Sequence, residues 1–435
     1  MLSSLKIKPG RLMKTIHETA DMFGAAFPWG KDPTETGLLR LALTDMDKGA
    51  RDWFAKEVKS LGCEYKVDEL GNQFAIYPGK DMSAIPTGVG SHLDSQPTAG
   101  RYDGPLGVLS GLEILRTLKE SNYVPNYPIA LINWTNEEGA RFPYPLLGSS
   151  VYAGIKPKED MYSIKAIDGS HPTVLEELER IGYKGDTECA FEANPVACHF
   201  EIHIEQAPYL ERGNKKIGVV TGVQSYCWEE ITVTGKSSHT ETTPLDDRAD
   251  PMLAAAKMIA KSREIALKYD GLVSTGLIEA SPRSFNVLPE TVKFSLDTRN
   301  YDDAKLDAML VELKEEFAKI AEECIGKDSK IPITIDYNHL MTSRRAYFHE
   351  DCKDCIRDAS HEVVGEEYTM DLVARACHDS KAMSTIVPTA MVFIPCRDGL
   401  SHNPREFSTP EQCEDGFKVL MGAVLRYDQL RASRA

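Results

Sequence analysis

The feature that most constrains this chain is an apolar run, a helical pattern and a second apolar run in succession. Thr87–His92 and Pro128–Trp134 are short and apolar, as expected of buried strands. Between them, leucine and isoleucine side chains recur at the spacing of one helix face. A strand, a helix and a strand in this order form a βαβ unit, which implies a parallel sheet covered by helices. The sequence therefore predicts an α/β fold.

Polar residues collect where both predicted strands end. His92 closes the first strand and Asp94 follows it, while Glu137 and Glu138 follow the second. In open α/β sheets, ligands bind beyond the carboxyl ends of the strands. We therefore expect the functional site at this edge of the sheet.

From about residue 225 the pattern changes, which indicates a second domain. The predicted strands and helices there are Glu229–Gly235, Met252–Leu267, Val292–Leu296, Leu306–Ile325 and Ile333–Tyr337. The C-terminal part returns to the first pattern, with an apolar strand, a polar loop and a closing helix. We predict an α+β domain, residues 225–340, inserted into one catalytic domain that is built from residues 1–224 and 341–435.

The composition is that of a soluble globular protein and excludes several classes of function. Of the 435 residues, 42% are hydrophobic and 27% are charged, and the net charge is −16. This charge argues against nucleic acid as a partner, because phosphate binding requires clustered Lys and Arg. No apolar stretch reaches the roughly 20 residues that span a bilayer, so we expect no membrane partner.

The cysteines point to a reducing compartment. Ten cysteines are too dilute for a disulfide scaffold, and we therefore expect a cytoplasmic location. Cys352 and Cys355 form a C-x-x-C without a second pair at zinc-finger spacing. Their charged surroundings are typical of an exposed helix start.

Seven side chains carry the most information about chemistry. They are His92, Asp94, Asp103, Glu137, Glu138, His203 and His402. Any one of them alone is typical of a hydrogen-bonding loop residue, but their joint context is that of a metal site. A carboxylate two residues after His92 can orient a metal-bound imidazole. Strand alternation also places His199, Glu201, His203 and Glu205 on one face.

These residue types favour a pair of divalent cations. Imidazole and carboxylate ligands without thiolate suit Zn²⁺, Mn²⁺ and similar ions. A bridging carboxylate can hold two such ions about 3.5–4 Å apart. Of two adjacent glutamates, one can then coordinate a metal while the other accepts a proton from water.

Four segments in a fixed order make the sequence recognisable. They are GSHLDSQPTAGRYDGPLGVLSG (90–111), NEEGARF (136–142), HIEQAPYLE (203–211) and SHNPRE (401–406). Together they resemble the M20 metallopeptidase superfamily. More narrowly, they are similar to its hydantoinase/carbamoylase branch, which contains N-carbamoyl-L-amino acid hydrolases, β-alanine synthases (β-ureidopropionases) and allantoate amidohydrolases. The resemblance covers nearly the whole chain.

The resemblance implies a role for each matching residue. The implied metal ligands are His92 and His203 for one ion, Glu138 and His402 for the other, and Asp103 as the bridge. The implied catalytic residues are Glu137 as the general base, His239 at the oxyanion, and Asp94. The implied substrate-binding residues are Gln206, Asn286, Arg299 and His378.

The resemblance also implies cofactors, partners and geometry. Each subunit would bind two divalent metal ions, with Zn²⁺ expected and Mn²⁺, Co²⁺ and Ni²⁺ as alternatives. The inserted domain would be a lid and dimerisation domain of a homodimer. The peptide bond between Asp103 and Gly104 would be cis.

Two loops depart from the pattern of the branch. Its H-A-G-T-T-P reads H-T-E-T-T-P here, so that the bulky, acidic Glu241 replaces a small residue beside His239. Its G-A-G-H-D-A reads R-A-C-H-D-S at residues 375–380. The metal-ligand set is complete, so the reaction type is better determined than the substrate.

The predicted function is a di-metal amidohydrolase that acts on a small ureido acid. It would convert an N-carbamoyl-L-amino acid or N-carbamoyl-β-alanine to the amino acid, CO₂ and ammonia, with Arg299 binding the substrate carboxylate. Allantoate is the alternative substrate. An M20 exopeptidase or aminoacylase is a third reading, against which the matches at Asn286 and Arg299 argue. A catalytically inactive relative that serves in binding or assembly is the alternative of another class.

Overall fold

Strands and helices are interspersed along the chain in this computed structural model, which describes residues 2–434. The strands are β1 (Ala25–Ala26), β2 (Gly37–Leu38), β3 (Glu64–Val67), β4 (Gln73–Tyr77), β5 (Thr87–His92), β6 (Ile129–Trp134), β7 (His199–Ile204), β8 (Ile217–Val223), β9 (Ser225–Thr234), β10 (Ser238–His239), β11 (Leu272–Ser274), β12 (Ile278–Ser281), β13 (Val287–Leu288), β14 (Thr291–Asn300), β15 (Thr334–Ser343), β16 (Ala346–Tyr347), β17 (Thr369–Ala374) and β18 (Thr389–Ile394).

The α-helices are α1 (Arg11–Met22), α2 (Asp45–Ser60), α3 (Pro105–Glu120), α4 (Leu147–Tyr152), α5 (Lys158–Tyr162), α6 (Val174–Ile181), α7 (Tyr209–Arg212), α8 (Pro251–Lys268), α9 (Asp303–Glu323), α10 (Glu350–Val363), α11 (Asp379–Met383) and α12 (Pro410–Arg434). Among the described residues, no helix is long and apolar enough to cross a membrane.

The chain divides into two compact units. The middle unit is Val223–Ala346, and the terminal unit comprises the described residues before and after it. A boundary at residue 340, as the sequence suggested, falls inside β15, which continues to Ser343. The ladder between β15 and β9 holds this strand in the middle unit.

The terminal unit is built on a nine-stranded sheet with the order β16-β8-β18-β7-β5-β6-β4-β3, in which β17 also pairs with β8. Strands β18, β7, β5 and β6 run parallel at its centre, so one sheet contains strands from both ends of the chain. The flanks are antiparallel, since β4 runs against β6 and β8 against β18. The prediction of a mostly parallel sheet therefore holds at the centre and is wrong at the flanks. Residues 68–72 connect β3 to β4, and this connection is too short for the crossover that a parallel pair requires.

Helix α3 fixes the central strands of this sheet. It connects β5 to β6, and nearly all of its side chains are buried, including Leu106, Leu109 and Leu112. A helix that is apolar on all sides belongs in a protein core. Pro105 occupies its first turn, where a missing N–H is tolerated. Because β5, β6 and β7 run parallel, the residues that end them lie at one edge of the sheet.

The middle unit is a separate α+β body. Its main sheet has the order β11-β14-β9-β15, with β12 also paired to β14, and all of these pairings are antiparallel. Helices α8 and α9 contribute to one apolar core with Ile231, Val233 and Phe294 of the sheet. The five elements predicted for this region are present. The strands β10 to β13 were not predicted, because each is too short to show a periodic pattern.

The cysteines are all free thiols. Helix α10 begins at Glu350, but Cys352 and Cys355 are buried. The expectation of an exposed C-x-x-C is wrong, because α10 packs this face against α12 and β18.

Candidate metal centre and active site

Two buried histidines lie at the ends of neighbouring parallel strands, and the Nδ1 atom of each binds a main-chain carbonyl. His92 ends β5, His203 lies near the end of the adjacent strand β7, and their ring centroids are 6.2 Å apart. The Nδ1 atom of His92 hydrogen-bonds the main-chain oxygen of Asp94 at 3.0 Å, and that of His203 bonds the oxygen of Ile204 at 2.8 Å. These carbonyls favour the tautomer that leaves Nε2 unprotonated. Both Nε2 atoms are buried; that of His92 makes no hydrogen bond, and that of His203 lies 2.9 Å from Oδ1 of Asp103.

Asp103 lies between these imidazoles and a third one. Its Oδ1 is 2.9 Å from His203 Nε2 and 3.8 Å from His92 Nε2, and its Oδ2 is 3.6 Å from His402 Nε2. Glu406 Oε1 accepts the backbone N–H groups of Tyr102 and Asp103, both at 3.0 Å. Glu406 therefore fixes the main chain at Asp103, just before α3 begins.

The residue after Asp103 must be small. Gly104 has a φ of 81°, and a Cβ added there would lie 2.2 Å from Cε1 of His92. The predicted cis peptide between Asp103 and Gly104 is wrong for this structure, in which the one cis bond among the described residues joins Ser281 and Pro282. The left-handed backbone of Gly104 makes the turn into α3 instead.

The adjacent glutamates after β6 face different groups. Oε2 of Glu138 lies 3.2 Å from His402 Nε2 and accepts a hydrogen bond from Gln96 Nε2 at 2.8 Å. Oε2 of Glu137 lies 3.4 Å from His92 Nε2. The two carboxylates therefore lie near different imidazoles.

Asp94 holds this pair of glutamates in place. Its carboxylate accepts the backbone N–H groups of Glu137 and Glu138, both at 3.3 Å. The sequence suggested instead that this carboxylate orients His92. The structure corrects that expectation, since the His92 ring bonds the carbonyl of Asp94 and the carboxylate oxygen is 3.7 Å away.

Several carboxylates are buried close together in this centre, and their proximity shifts the pKa values of the groups around them. Burial, with the nearby carboxylates of Asp379 and Glu138, raises the pKa of Glu137 well above its usual range. Burial would also raise the pKa of Asp103, but His203 and His402 lower it well below its usual range. Burial alone would lower the pKa of His203, yet Asp103 raises it to about 9. The site attracts positive charge, whether a proton or a metal ion.

The residues present fit two cations. His92, Asp103 and His203 form one group of potential ligands, and Asp103, Glu138 and His402 form another, with the ligand atoms of each group within 4.8 Å of one another. Nitrogen and oxygen donors of this kind suit Zn²⁺, Mn²⁺ and related ions. The buried Nε2 atom of His92, which makes no hydrogen bond although two carboxylates lie near it, is the observation that favours a metal over a hydrogen-bonded network.

Two candidate substrate residues lie beside this centre. Nε2 of Gln206 donates to Oδ2 of Asp103 at 2.7 Å. The ring of His378 is 4.3 Å from that of His203, and its Nε2 is buried without a partner. Burial, with His203 nearby, lowers the pKa of His378 well below its usual range, so this ring is neutral.

The other candidate substrate residues belong to the middle unit. His239 lies on β10 with its side chain 49% exposed, and Glu241 Oε2 is 3.8 Å from its Nε2. Asn286 is exposed, and its main-chain oxygen accepts the N–H of Thr240 at 3.2 Å. Arg299 lies on β14 and donates from Nε and Nη2 to Asp297, at 3.0 and 2.8 Å for the shortest contacts.

Sequence reasoning missed three supporting residues of the metal centre. Glu406 binds the main chain at Asp103, Ser401 donates to Oδ2 of Asp103 at 2.5 Å, and Gln96 binds Glu138. All three stand inside or beside recognisable motifs. Their roles could not be predicted, because each contact joins residues that are far apart in the chain.

Comparison with known proteins agrees with this geometry. The sequence profile of the peptidase family M20/M25/M40 matches residues 88–426. N-carbamoyl-L-amino-acid amidohydrolase of Rhizobium meliloti is 40% identical over 388 residues, which are 89% of this chain and 90% of that protein. Ureidoglycolate hydrolase of Arabidopsis thaliana is 28% identical over 429 residues, which are 97% and 87% of the two chains.

A solved structure extends the similarity to the fold. The crystal structure of an amidase of the hydantoinase/carbamoylase family from Burkholderia multivorans matches with a TM-score of 0.85 and 39% identity. The match covers 97% of this chain and 98% of that one. As its motifs predict, the chain belongs to the peptidase family M20/M25/M40 and is similar there to amidases of the hydantoinase/carbamoylase type.

Proposed function

We propose that this chain is a di-metal amidohydrolase that removes the carbamoyl group from an N-carbamoyl amino acid. The products would be the amino acid, CO₂ and ammonia. The observation that carries the proposal is the convergence of three imidazoles on Asp103, with Glu137 beside them. The names of the relatives support the substrate class, since one that is 40% identical is an N-carbamoyl-L-amino-acid amidohydrolase.

The residues around Asp103 would hold two divalent cations. The proposed ligands are His92, Asp103 and His203 for one ion and Asp103, Glu138 and His402 for the other. When bound, such ions polarise a carbonyl group and make water more acidic. Zn²⁺ is the ion we propose, with Mn²⁺, Co²⁺ and Ni²⁺ as alternatives, because all four accept imidazole and carboxylate ligands.

Glu137 is the proposed general base. It is buried and carries a raised pKa, so its ionised form is a stronger base than an exposed carboxylate. It would accept a proton as the water oxygen bonds to the ureido carbon, and return that proton to the nitrogen as the C–N bond breaks. Asp94 would keep Glu137 in position through the backbone N–H that it accepts.

The remaining candidate residues would bind and orient the substrate. His239 would donate to the developing oxyanion, and the planar guanidinium of Arg299 would bind the carboxylate. Gln206, Asn286 and His378 would complete the substrate contacts. Support for these roles comes from their side-chain chemistry and from their match to the motifs of the hydantoinase/carbamoylase branch.

A substrate panel and metal analysis test the proposal together. Ammonia release should be measured with N-carbamoyl-L- and D-amino acids, N-carbamoyl-β-alanine, allantoate and ureidoglycolate, the last because of the Arabidopsis relative. We expect turnover of an N-carbamoyl amino acid that is lost on prolonged chelation and restored by a divalent cation. Activity in metal-free protein would refute the metal role. Metal binding without turnover of any ureido acid would support the inactive binding protein instead.

We also propose that the chain forms a homodimer through the middle unit. One edge of its main sheet is formed by β11 and β12, near which Leu272, Leu277 and Ile278 expose apolar side chains. Exposed strand edges favour pairing with another chain. Sedimentation should give a mass near twice 48.3 kDa, and Ile278→Lys should shift it toward the monomer. A wild-type monomer would contradict this proposal.

We propose a cytoplasmic location. All ten cysteines are free thiols, which is typical of a reducing compartment. Fractionation of the source cells tests this, and recovery of the protein outside the cytoplasm would contradict it.

A further inference from the structure

A second kind of metal-ligand cluster lies within the middle unit. Cys227 and Glu229 of β9 and His339 of β15 place one ligand atom each within 4.8 Å of one another. Cys227 and Glu229 are buried, whereas His339 is exposed. None of these residues takes part in the proposed reaction.

The strand geometry that assembles this cluster includes a β-bulge. Cys227 and Glu229 are two residues apart on β9 and therefore share a face. His339 pairs with Glu229 and Thr342 pairs with Cys227, although residues three apart on a regular strand face opposite ways. The extra residue, Leu340, lies at the register shift between His339 and Met341, and it brings both side chains to the face of Cys227. Bulges recur near functional sites because they redirect side chains in this manner.

The distances within the cluster fit a tetrahedral ion. Sγ of Cys227 is 3.8 Å from Nδ1 of His339. Zinc–sulfur and zinc–nitrogen bonds of about 2.3 and 2.0–2.1 Å at a tetrahedral angle would place such atoms roughly 3.5 Å apart. A small movement of the Cys227 or His339 side chain would bring Sγ and Nδ1 to the distance that a bound zinc ion requires.

Thr342 provides the outer contacts that a metal-binding histidine usually has. Its Oγ1 is 3.4 Å from Nε2 of His339 and donates to Sγ of Cys227 at 3.4 Å. By accepting the Nε2–H, the hydroxyl would favour the tautomer whose Nδ1 is free to coordinate. Its own hydrogen bond to sulfur would stabilise a thiolate.

Lys314 of α9 is the group that competes with a cation here. Its Nζ lies 3.3 Å from Oε1 of Glu229, and its side chain is 49% exposed. An ammonium on a flexible, half-exposed side chain can move into water when a cation takes its place. The ion pair therefore weakens a cation site at Glu229 without blocking it.

We propose that Cys227, Glu229 and His339 form a thiolate-containing site for a borderline divalent cation such as Zn²⁺. The exposed His339 gives access from solvent, and water would complete the coordination sphere. On binding, the Cys227 thiol releases its proton to solvent and Sγ bonds the cation, so no redox partner is required. The sulfur ligand distinguishes this site from the Asp103 centre. It favours Zn²⁺, which accepts thiolate, over Mn²⁺, which prefers oxygen ligands.

Cobalt titration of the metal-free full-length protein tests the site by absorption. A thiolate bound to Co²⁺ gives a near-ultraviolet charge-transfer band, to which a centre of imidazole and carboxylate ligands contributes nothing. We expect the band in wild type, its loss on addition of Zn²⁺ and its persistence with Mn²⁺. Cys227→Ser should abolish it, while Cys324→Ser, a change at another buried cysteine of the same unit, should retain it.

Two milder variants keep the test decisive if Cys227→Ser folds poorly. Thr342→Val should lower the Co²⁺ affinity roughly 10–100-fold, the usual effect of losing such an outer contact. Lys314→Gln should raise the affinity several-fold by removing the competing ammonium. The proposal is overturned by the absence of the band in wild type, by its survival in Cys227→Ser, or by unchanged affinity in both milder variants. Because the band reports sulfur only, these results do not depend on whether the Asp103 centre binds metal.

Discussion

The two units hold most of their candidate functional residues under different physical conditions, although His402 of the terminal unit is 51% exposed and Arg299 of the middle unit is 24% exposed. In the terminal unit, His92, Asp103 and His203 are at most 2% exposed, and main-chain hydrogen bonds fix them at the ends of β5 and β7 and before the start of α3. In the middle unit, His239 is 49% exposed on a two-residue strand and Asn286 is exposed. Buried groups that are held rigidly are suited to binding metal and to catalysis. Exposed groups on short strands and turns are suited to contacts that differ from one substrate to another.

This contrast predicts that changes in the two units will differ in kind. Variants of the metal centre should remove the chemical step or a metal ion. Variants of the middle unit should mainly change which substrate is accepted and how tightly it binds.

The largest effect is expected at Glu137. Glu137→Gln keeps the size of the side chain but removes the base, so kcat should fall by roughly 10²–10⁴ while metal content stays unchanged. Glu138→Ala should instead lose one ion, because Glu138 is the carboxylate that faces His402. Steady-state kinetics and elemental analysis separate these outcomes. If the two variants lose the same amount of metal, the division of roles between them is wrong.

A smaller effect is expected at Arg299 in the middle unit. Arg299→Ala would remove a charge-assisted bond to the substrate carboxylate, so kcat/KM should fall by roughly 10–100-fold. Arg299→Lys should recover only part of this, because an ammonium lacks the planar fork. The informative measurement uses a substrate whose carboxylate is replaced by a neutral amide, on which Arg299→Ala should lose little further activity.

Asp297 supplies the matched control for Arg299. The two side chains pair at 2.8 Å, so the arginine could serve the strand instead of the substrate. Asp297→Asn should preserve kcat/KM if Arg299 binds the substrate carboxylate. Equal losses in Arg299→Ala and Asp297→Asn, on both the acid and the amide, would show a structural pair and would break the contrast between the units.

Local patterns in the sequence predict much of the metal centre. The βαβ unit, the ends of β5 and β6 and the alternation in β7 are local features, and they place His92, Glu137, Glu138 and His203 at one edge of the sheet. The contacts that fix these groups could not be predicted in this way. Glu406 binds the main chain at Asp103 from 303 residues away in the sequence, and no local periodicity encodes such a contact.

The middle unit shows the complementary limit of sequence reasoning. Its long elements, β9, α8, β14, α9 and β15, carry clear apolar periods and were predicted. Strand β10, which holds His239, has two residues and pairs with the equally short β13. A strand of this length has no period to detect, and tertiary pairing alone defines it. The bulge at Leu340 is likewise invisible, because it depends on the register between β15 and β9.

The pH dependence of activity should follow the metal centre and not the middle unit. Burial raises the pKa of Glu137, and only the ionised carboxylate can accept a proton. The inactive, protonated form therefore persists to higher pH than for an exposed glutamate, and kcat/KM should rise with pH through this pKa. Arg299→Ala should lower the whole profile without moving its acidic limb. If the acidic limb of the pH profile shifts in Arg299→Ala, the group that titrates is not in the metal centre.

The smallest effect is expected at Glu241, the acidic residue that departs from the pattern of the hydantoinase/carbamoylase branch. Its carboxylate is 72% exposed and lies 3.8 Å from Nε2 of His239. An exposed pair of this kind contributes little to stability, so its main influence should be repulsion of an anionic substrate. Glu241→Gln should lower KM for the ureido acid by about 2–5-fold, the scale of one exposed charge interaction, and leave kcat unchanged. Because exposed charges are screened by salt, the difference should vanish at high ionic strength and be absent with the neutral amide substrate. A change in kcat that persists in salt would mean that Glu241 acts on the chemistry through His239, and the loops of the middle unit would then share in the reaction itself.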